Sequence, residues 1–177
     1  MAGSGRVVLA GAVTGLVLVA FGQGLGQPEQ AAAAVVPEKI GIPSIDVEAP
    51  LMKLGVKDGE VELPPYEKPG MAGWYTGSVV PGEKGASVII GHVDTKTEPA
   101  VFYKLRHVRK GSTVRVERSD GKVVTYKVDG VEQVHKDRFP FRKVYVEDGL
   151  KLVTCGGRFD RAKGEYLDNV IVYASPA

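Results

Sequence analysis

Alternation of apolar and polar positions is the dominant texture of the chain from Lys39 onward. "KIGIPSIDVEAPLMKLGV" mixes β-branched residues with Pro and Gly, as short strands with breaks do. "ASVIIGH" (86–92) is a short apolar run ending at Gly91, the pattern of a buried strand. "STVRVERSDGKVVTYKVDGV" (112–131) predicts a hairpin: two alternating runs joined through Ser119, Asp120 and Gly121. "LKLVT" (150–154) and "NVIVYA" (169–174) predict two further core strands. Helical spacing occurs once, over 99–111, where Phe102, Leu105 and Val108 fall on one face and Gly111 supplies a stop. Several short strands with one or two short helices predict a mostly β fold, a closed barrel or a sandwich. The chain has no internal repeat and no long low-complexity region.

The N-terminus breaks this texture. Residues 7–22, "VVLAGAVTGLVLVAFG", carry no charged side chain and follow Arg6. An apolar run of this kind at a terminus is either a cleaved signal peptide or an uncleaved signal anchor. It is short for a full span, which needs about 20 apolar residues, but extension through Leu25 nearly suffices. "QAAAAV" (30–35) offers small residues to a signal peptidase. A positive residue ahead of the run favours an N-terminus left inside and a domain placed outside. Residues 1–25 are therefore expected to be an apolar membrane helix, 26–37 a linker of small and polar residues, and 38–177 a folded domain held at the outer face of the cell membrane.

Composition changes the picture little. At 44% hydrophobic, 177 residues supply a real core, and a net charge of +2 with no basic stripe gives no argument for nucleic acid. Cysteine usage changes it more. Cys155 is the one cysteine in the chain, so no internal disulfide exists. Exported domains that use sulfur for stability carry cysteines in pairs, which favours a working thiol here. A thiol nucleophile needs a partner that takes its proton, and histidine is the usual one. Of three histidines, His107 sits among charges and His135 in a polar stretch, both expected at the surface. His92 follows "SVIIG" directly, so a buried strand delivers it to a loop edge as "LKLVT" delivers Cys155. The alternative is that His92 caps a turn and Cys155 is a small buried hydrophobe. Metal binding finds no second cysteine and no paired-histidine motif, and no acidic cluster marks a calcium site, so neither metal nor cofactor is expected.

"VIIGHVDTKTEPAVFYKLRHVRKGSTVRV" followed by "LVTCGGRFDRAKGEYLDNVIVYA" resembles the sortases, the cysteine transpeptidases of the Gram-positive cell surface. The strand-Gly-His step and the strand-Thr-Cys step, in that order, carry the resemblance. "IPSIDVEAPLMKLG" and "PGMAGWYTGSVVPGEKGASVIIGHVD" extend it to residues 38–174. The "GHVD" and "TCGG" patterns look most like the class F sortases of actinobacteria.

The resemblance implies a closed eight-stranded β-barrel, an N-terminal membrane anchor and a cleft for an LPXTG-like sorting signal. By that likeness Cys155 attacks the Thr–Gly carbonyl and His92 serves as acid and base. An amine of a peptidoglycan precursor or a pilin lysine then resolves the thioester. The family's arginine, on the strand after the cysteine, falls on Asn169 in this chain. Asn169 donates through a neutral amide, while Arg158 and Arg161 are the alternative donors. Thr154 is either a substrate contact or an ordinary β-branched strand residue, and Asp94 either orients His92 or forms an Asx-turn. Gly156 and Gly157 leave room beside the sulfur, so a carbonyl can approach a main-chain N–H at Gly156. The rival reading is a membrane-tethered β-domain that binds, with Cys155 buried and inert.

Overall fold

The chain from residue 34 to residue 177 is described by a computed structural model, and the expected apolar helix and most of the linker lie outside the described residues. In chain order the strands are β1 (Pro37–Ile42), β2 (Val47–Leu54), β3 (Val56–Lys57), β4 (Glu60–Val61), β5 (Ala72–Tyr75), β6 (Ala86–Ile90), β7 (Thr113–Arg118), β8 (Val123–His135), β9 (Gly149–Asp160) and β10 (Glu165–Pro176). One short helix, α1 (Phe141–Tyr145), precedes β9, and three 3₁₀ turns cover Pro43–Ile45, Leu105–His107 and Lys136–Arg138.

Eight of these strands close a barrel in the order β1-β2-β5-β6-β9-β10-β8-β7, with β3 and β4 forming a small separate hairpin. Of the two candidate architectures, the barrel is the one observed. Closure pairs β1 with β7 and leaves the barrel without an unpaired edge. Two neighbouring pairs are parallel, β2 with β5 and β6 with β9.

Strand alternation sorts the side chains into two cores. Leu150 and Leu152 of β9 and Val172 and Ala174 of β10 join Ile40, Ile42, Ile89, Val114 and Tyr126 inside the barrel. The residues between them face the other way: Val153 and Ile171 pack with Leu54, Val88, Ile90 and Val144 of α1. The second cluster forms the floor on which the functional cleft rests.

The hairpin over 112–131 is present as β7 and β8, which pair from Thr113↔Lys127 to Glu117↔Val123. Three expectations need correction. Residues 99–111 do not form an α-helix; they fold as a turn and the 3₁₀ segment Leu105–His107. Phe102, Leu105 and Val108 are nevertheless all buried, because a spacing of three serves a three-residue turn as well as a helical face. β8 runs through His135, so that residue ends a strand rather than lying in a loop. β9 and β10 continue well beyond their apolar runs, which places Cys155 and Asn169 within strands, not at strand termini. Apolar patterning reports burial, and the ladder between β9 and β10 continues after its side chains leave the core.

That extended ladder explains the glycine pair. Phe159 faces Tyr166 and Gly156 faces Asp168, so Gly157 and Arg158 together oppose the single residue Leu167. This is a β-bulge whose first residue, Gly157, takes φ of 73°, a left-handed conformation open to glycine. A Cβ on Gly157 would lie 2.0 Å from Asp168 Oδ2, and one on Gly156 would lie 2.7 Å from Val170 Cγ2. The pair is therefore a close-packed bulge, not a flexible turn.

Candidate active site

The parallel register of β6 and β9 brings the two candidate reactive residues, His92 and Cys155, to one cleft. Ile90 is level with Val153, and the Gly91 amide donates to the Val153 carbonyl at 3.1 Å. His92 follows two residues after Ile90 and Cys155 two residues after Val153, and both line the same cleft. On the other side of β9, Cys155 pairs directly with Asn169, and Asn169 with Val134. Cys155 and Asn169 are thus cross-strand neighbours, and His92 follows the end of the adjoining strand β6, although each comes from a different part of the chain.

All three line a cleft of about 600 Å³. Its floor includes Ile90 and Val153, one wall is aromatic (Phe139, Phe141 and Tyr145), and Val61 and Leu63 close the opposite side. Phe139 meets Phe141 edge-on with ring centres 5.0 Å apart, and Phe141 is 68% exposed, an apolar surface open at the cleft mouth.

Cys155 is half-buried. Burial pushes its thiol pKa above the ordinary value; the Lys136 ammonium opposes this, while the Asp94 and Glu165 carboxylates reinforce it. The shift favours the neutral thiol, so a nucleophilic sulfur at this position requires a base to take its proton. His92 is 8% exposed. Its Nε2 lies 2.6 Å from the Pro64 carbonyl oxygen, and its ring stacks on Tyr66 with centroids 4.2 Å apart and planes at 18°. The Phe102 amide donates to the His92 carbonyl at 3.0 Å, fixing the backbone as well. Asn169 lies opposite the sulfur and its Nδ2 donates to the Thr154 carbonyl at 3.3 Å.

The remaining expected residues divide. Gly156 is buried next to the sulfur, in the bulged segment described above. Thr154 borders the cleft but shares strand parity with Leu150 and Leu152, and it is 3% exposed with an unpartnered Oγ1. Asp94 has no bond to His92; its Oδ2 accepts a hydrogen bond from the Tyr166 hydroxyl at 2.5 Å, and that bond pushes the Tyr166 pKa up to about 12. Arg158 and Arg161 are exposed and neither lines the cleft. His107 and His135 are exposed, as their charged neighbours imply. Among the described residues, no group of three or more His, Cys, Asp or Glu could hold a metal ion.

Sequence reasoning missed the aromatic wall and the Pro64–Tyr66 segment over His92. The signals were present in "RFPFRKVY" (138–145) and "LPPY" (63–66), but neither shows locally what it packs against.

The geometry agrees with the comparisons. Residues 40–177 match the sortase domain family model. Sortase C1 of Streptococcus agalactiae, solved in complex with MTSET, superposes with a TM-score of 0.61 at 22% identity over 79% of this chain. This chain spans 66% of the length of that enzyme. A lid mutant of sortase A from Corynebacterium diphtheriae gives 0.60 at 21% identity, over 85% of this chain and 74% of that one. Sortase A of Listeria monocytogenes gives 0.59 at 19%, over 81% and 88% respectively. No curated protein sequence matches significantly. At these identities the solved structures speak for the fold, and the family model speaks for the lineage. With its cysteine in the cleft rather than sealed in the core, this chain belongs to the sortase family of cysteine transpeptidases.

Proposed function

We propose that this protein cleaves an LPXTG-like sorting signal through an acyl-thioester on Cys155 and passes the acyl group to a cell-wall or pilin amine. The observation that supports this best is that His92, Cys155 and Asn169 line one cleft, with Cys155 and Asn169 paired across β9 and β10. The Cys155 thiol hands its proton to His92 as the sulfur attacks the Thr–Gly carbonyl. His92 then gives that proton to the departing glycine amine as the C–N bond breaks. The incoming amine loses its proton to His92 as it displaces the sulfur. In this reading Asn169 Nδ2 and the main-chain N–H groups after Cys155 face the developing oxyanion. Asn169 stands where the resemblance expects an arginine, and the exposure of Arg158 and Arg161 outside the cleft favours it over both.

The aromatic wall suits the apolar leading residues of such a signal, and the "GHVD" and "TCGG" patterns support a class F assignment. The apolar segment 7–22 supports anchoring in the cell membrane with the barrel outside, where both substrates are held. Incubation with an LPXTG peptide and mass spectrometry tests the reading. The expected result is a mass increase on Cys155 that disappears when an amine acceptor is added. A panel of sorting peptides that leaves Cys155 unmodified would overturn it.

A further inference from the structure

His92 is gripped by a segment outside the barrel strands. Glu62 to Met71 connects the β3–β4 hairpin to β5 and passes over the imidazole. Both its ends are pinned. The Glu62 amide donates to the Gly55 carbonyl at 3.0 Å and the Glu62 carboxylate accepts from the Gly55 amide at 2.9 Å. At the far end the Val101 amide donates to the Pro69 carbonyl at 2.8 Å, one residue before Phe102 binds the His92 carbonyl.

Between these pins stand Pro64 and Pro65. The Pro64 ring locks its own φ, and the following proline restricts its ψ, so the direction of the Pro64 carbonyl is set before it meets any partner. That oxygen lies 2.6 Å from His92 Nε2. A carbonyl only accepts, so Nε2 carries a proton in the neutral ring as well as in the charged one. The basic lone pair of neutral His92 is then on Nδ1. Tyr66 completes the grip by laying its ring face on the imidazole, although Tyr66 itself is 62% exposed and contributes little burial.

We propose that the Pro64–Tyr66 strap positions the catalytic base: the Pro64 carbonyl fixes the His92 proton on Nε2, Tyr66 holds the ring plane, and Nδ1 exchanges protons with the thiol and the amine. This rests on the acyl-transfer reading above. A backbone carbonyl here does the work that a carboxylate does in other nucleophile–histidine pairs, orienting the base without adding a charge. Pro64 and Tyr66 are positioning residues, since they act through His92.

The test uses the full-length chain. Long-range ¹H–¹⁵N correlation on ¹⁵N-histidine protein is expected to show His92 as the Nε2–H tautomer with a slowly exchanging ring proton. Tyr66→Ala should lose that slow exchange and lower kcat about tenfold to a hundredfold, since a small misplacement of the base is costly, with KM little changed. Tyr66→Phe should restore both, because only the ring face is used. Pro65→Gly, which frees the Pro64 carbonyl, should reproduce the Tyr66→Ala result by an independent route. An Nδ1–H tautomer in the wild-type protein overturns the proposal. So does a Tyr66→Ala protein with unchanged or raised kcat, since a raised value would make the strap a cover on the cleft. The tautomer is read without substrate, so a wild-type protein that forms no thioester would remove the acyl-transfer reading and leave the NMR result standing.

Discussion

Alanine at Gly157 should damage both stability and catalysis, and the structure supplies the size of the effect. Gly157 has φ of 73°, and a left-handed backbone costs an L-residue about 1–2 kcal/mol. The new Cβ would also sit 2.0 Å from Asp168 Oδ2, so the carboxylate has to swing away. That same oxygen accepts a 2.6 Å hydrogen bond from Gln133 Nε2, whose loss costs about 1 kcal/mol at this exposed position. Together these give about 2–3 kcal/mol, or a fall in Tm of about 6–10 °C for a domain of this size. Urea unfolding followed by circular dichroism measures it. A cycle with Asp168→Ala isolates the clash: the double variant should lie about 1 kcal/mol above additivity, because the carboxylate that blocked the methyl is gone. The relief is partial, since Asp168 Cβ itself stands 2.9 Å from the new methyl. Because the bulge sets which residue of β10 faces Cys155, thioester formation should fall along with stability. A Gly157→Ala protein within 0.5 kcal/mol of wild type on the scale of ordinary surface substitutions would refute the argument.

Other tests address the site directly. Burial holds the Cys155 thiol above its ordinary pKa, so alkylation by iodoacetamide should be slow at neutral pH and keep rising beyond the midpoint of a free thiol. Lys136→Met removes the charge that favours thiolate and should move that midpoint higher still; a downward move would contradict the electrostatics. Alanine at His92 should cost several orders of magnitude in turnover, since each proton transfer is worth about 10²–10⁴-fold, whereas His107→Ala and His135→Ala should be nearly silent. Peptide turnover of the three variants decides which histidine is the base. Loss of the Asn169 amide should lower the rate about 10²–10³-fold, with Arg158→Ala and Arg161→Ala close to wild type; the reverse ranking in the same assay would return the role to an arginine.

The chain's local pattern was enough to identify most of the barrel strands and to single out His92 and Cys155 as candidates. An apolar run of period two, or a fully apolar run bounded by glycine, reports that a segment is extended and buried, and "SVIIGH" and "LVTC" each do so. Their order and flanks also carry the family resemblance. What the pattern could not reach was anything set by pairing between distant segments. That His92 and Cys155 line one cleft depends on the parallel register of β6 and β9, which no residue in either run encodes alone. "CGG" reads locally as a pair of glycines that leaves room beside the sulfur; only the facing Asp168 and Val170 show that these glycines are also required by crowding. Asp94 is near His92 in sequence, yet its partner is Tyr166 of β10, 72 residues further along the chain. The histidine is held by a proline carbonyl and a tyrosine ring from a different loop. Side-chain alternation is a local consequence of backbone geometry and is legible in one segment. Contacts between segments arise from closure of the barrel, where packing selects one register among many that the same local pattern allows.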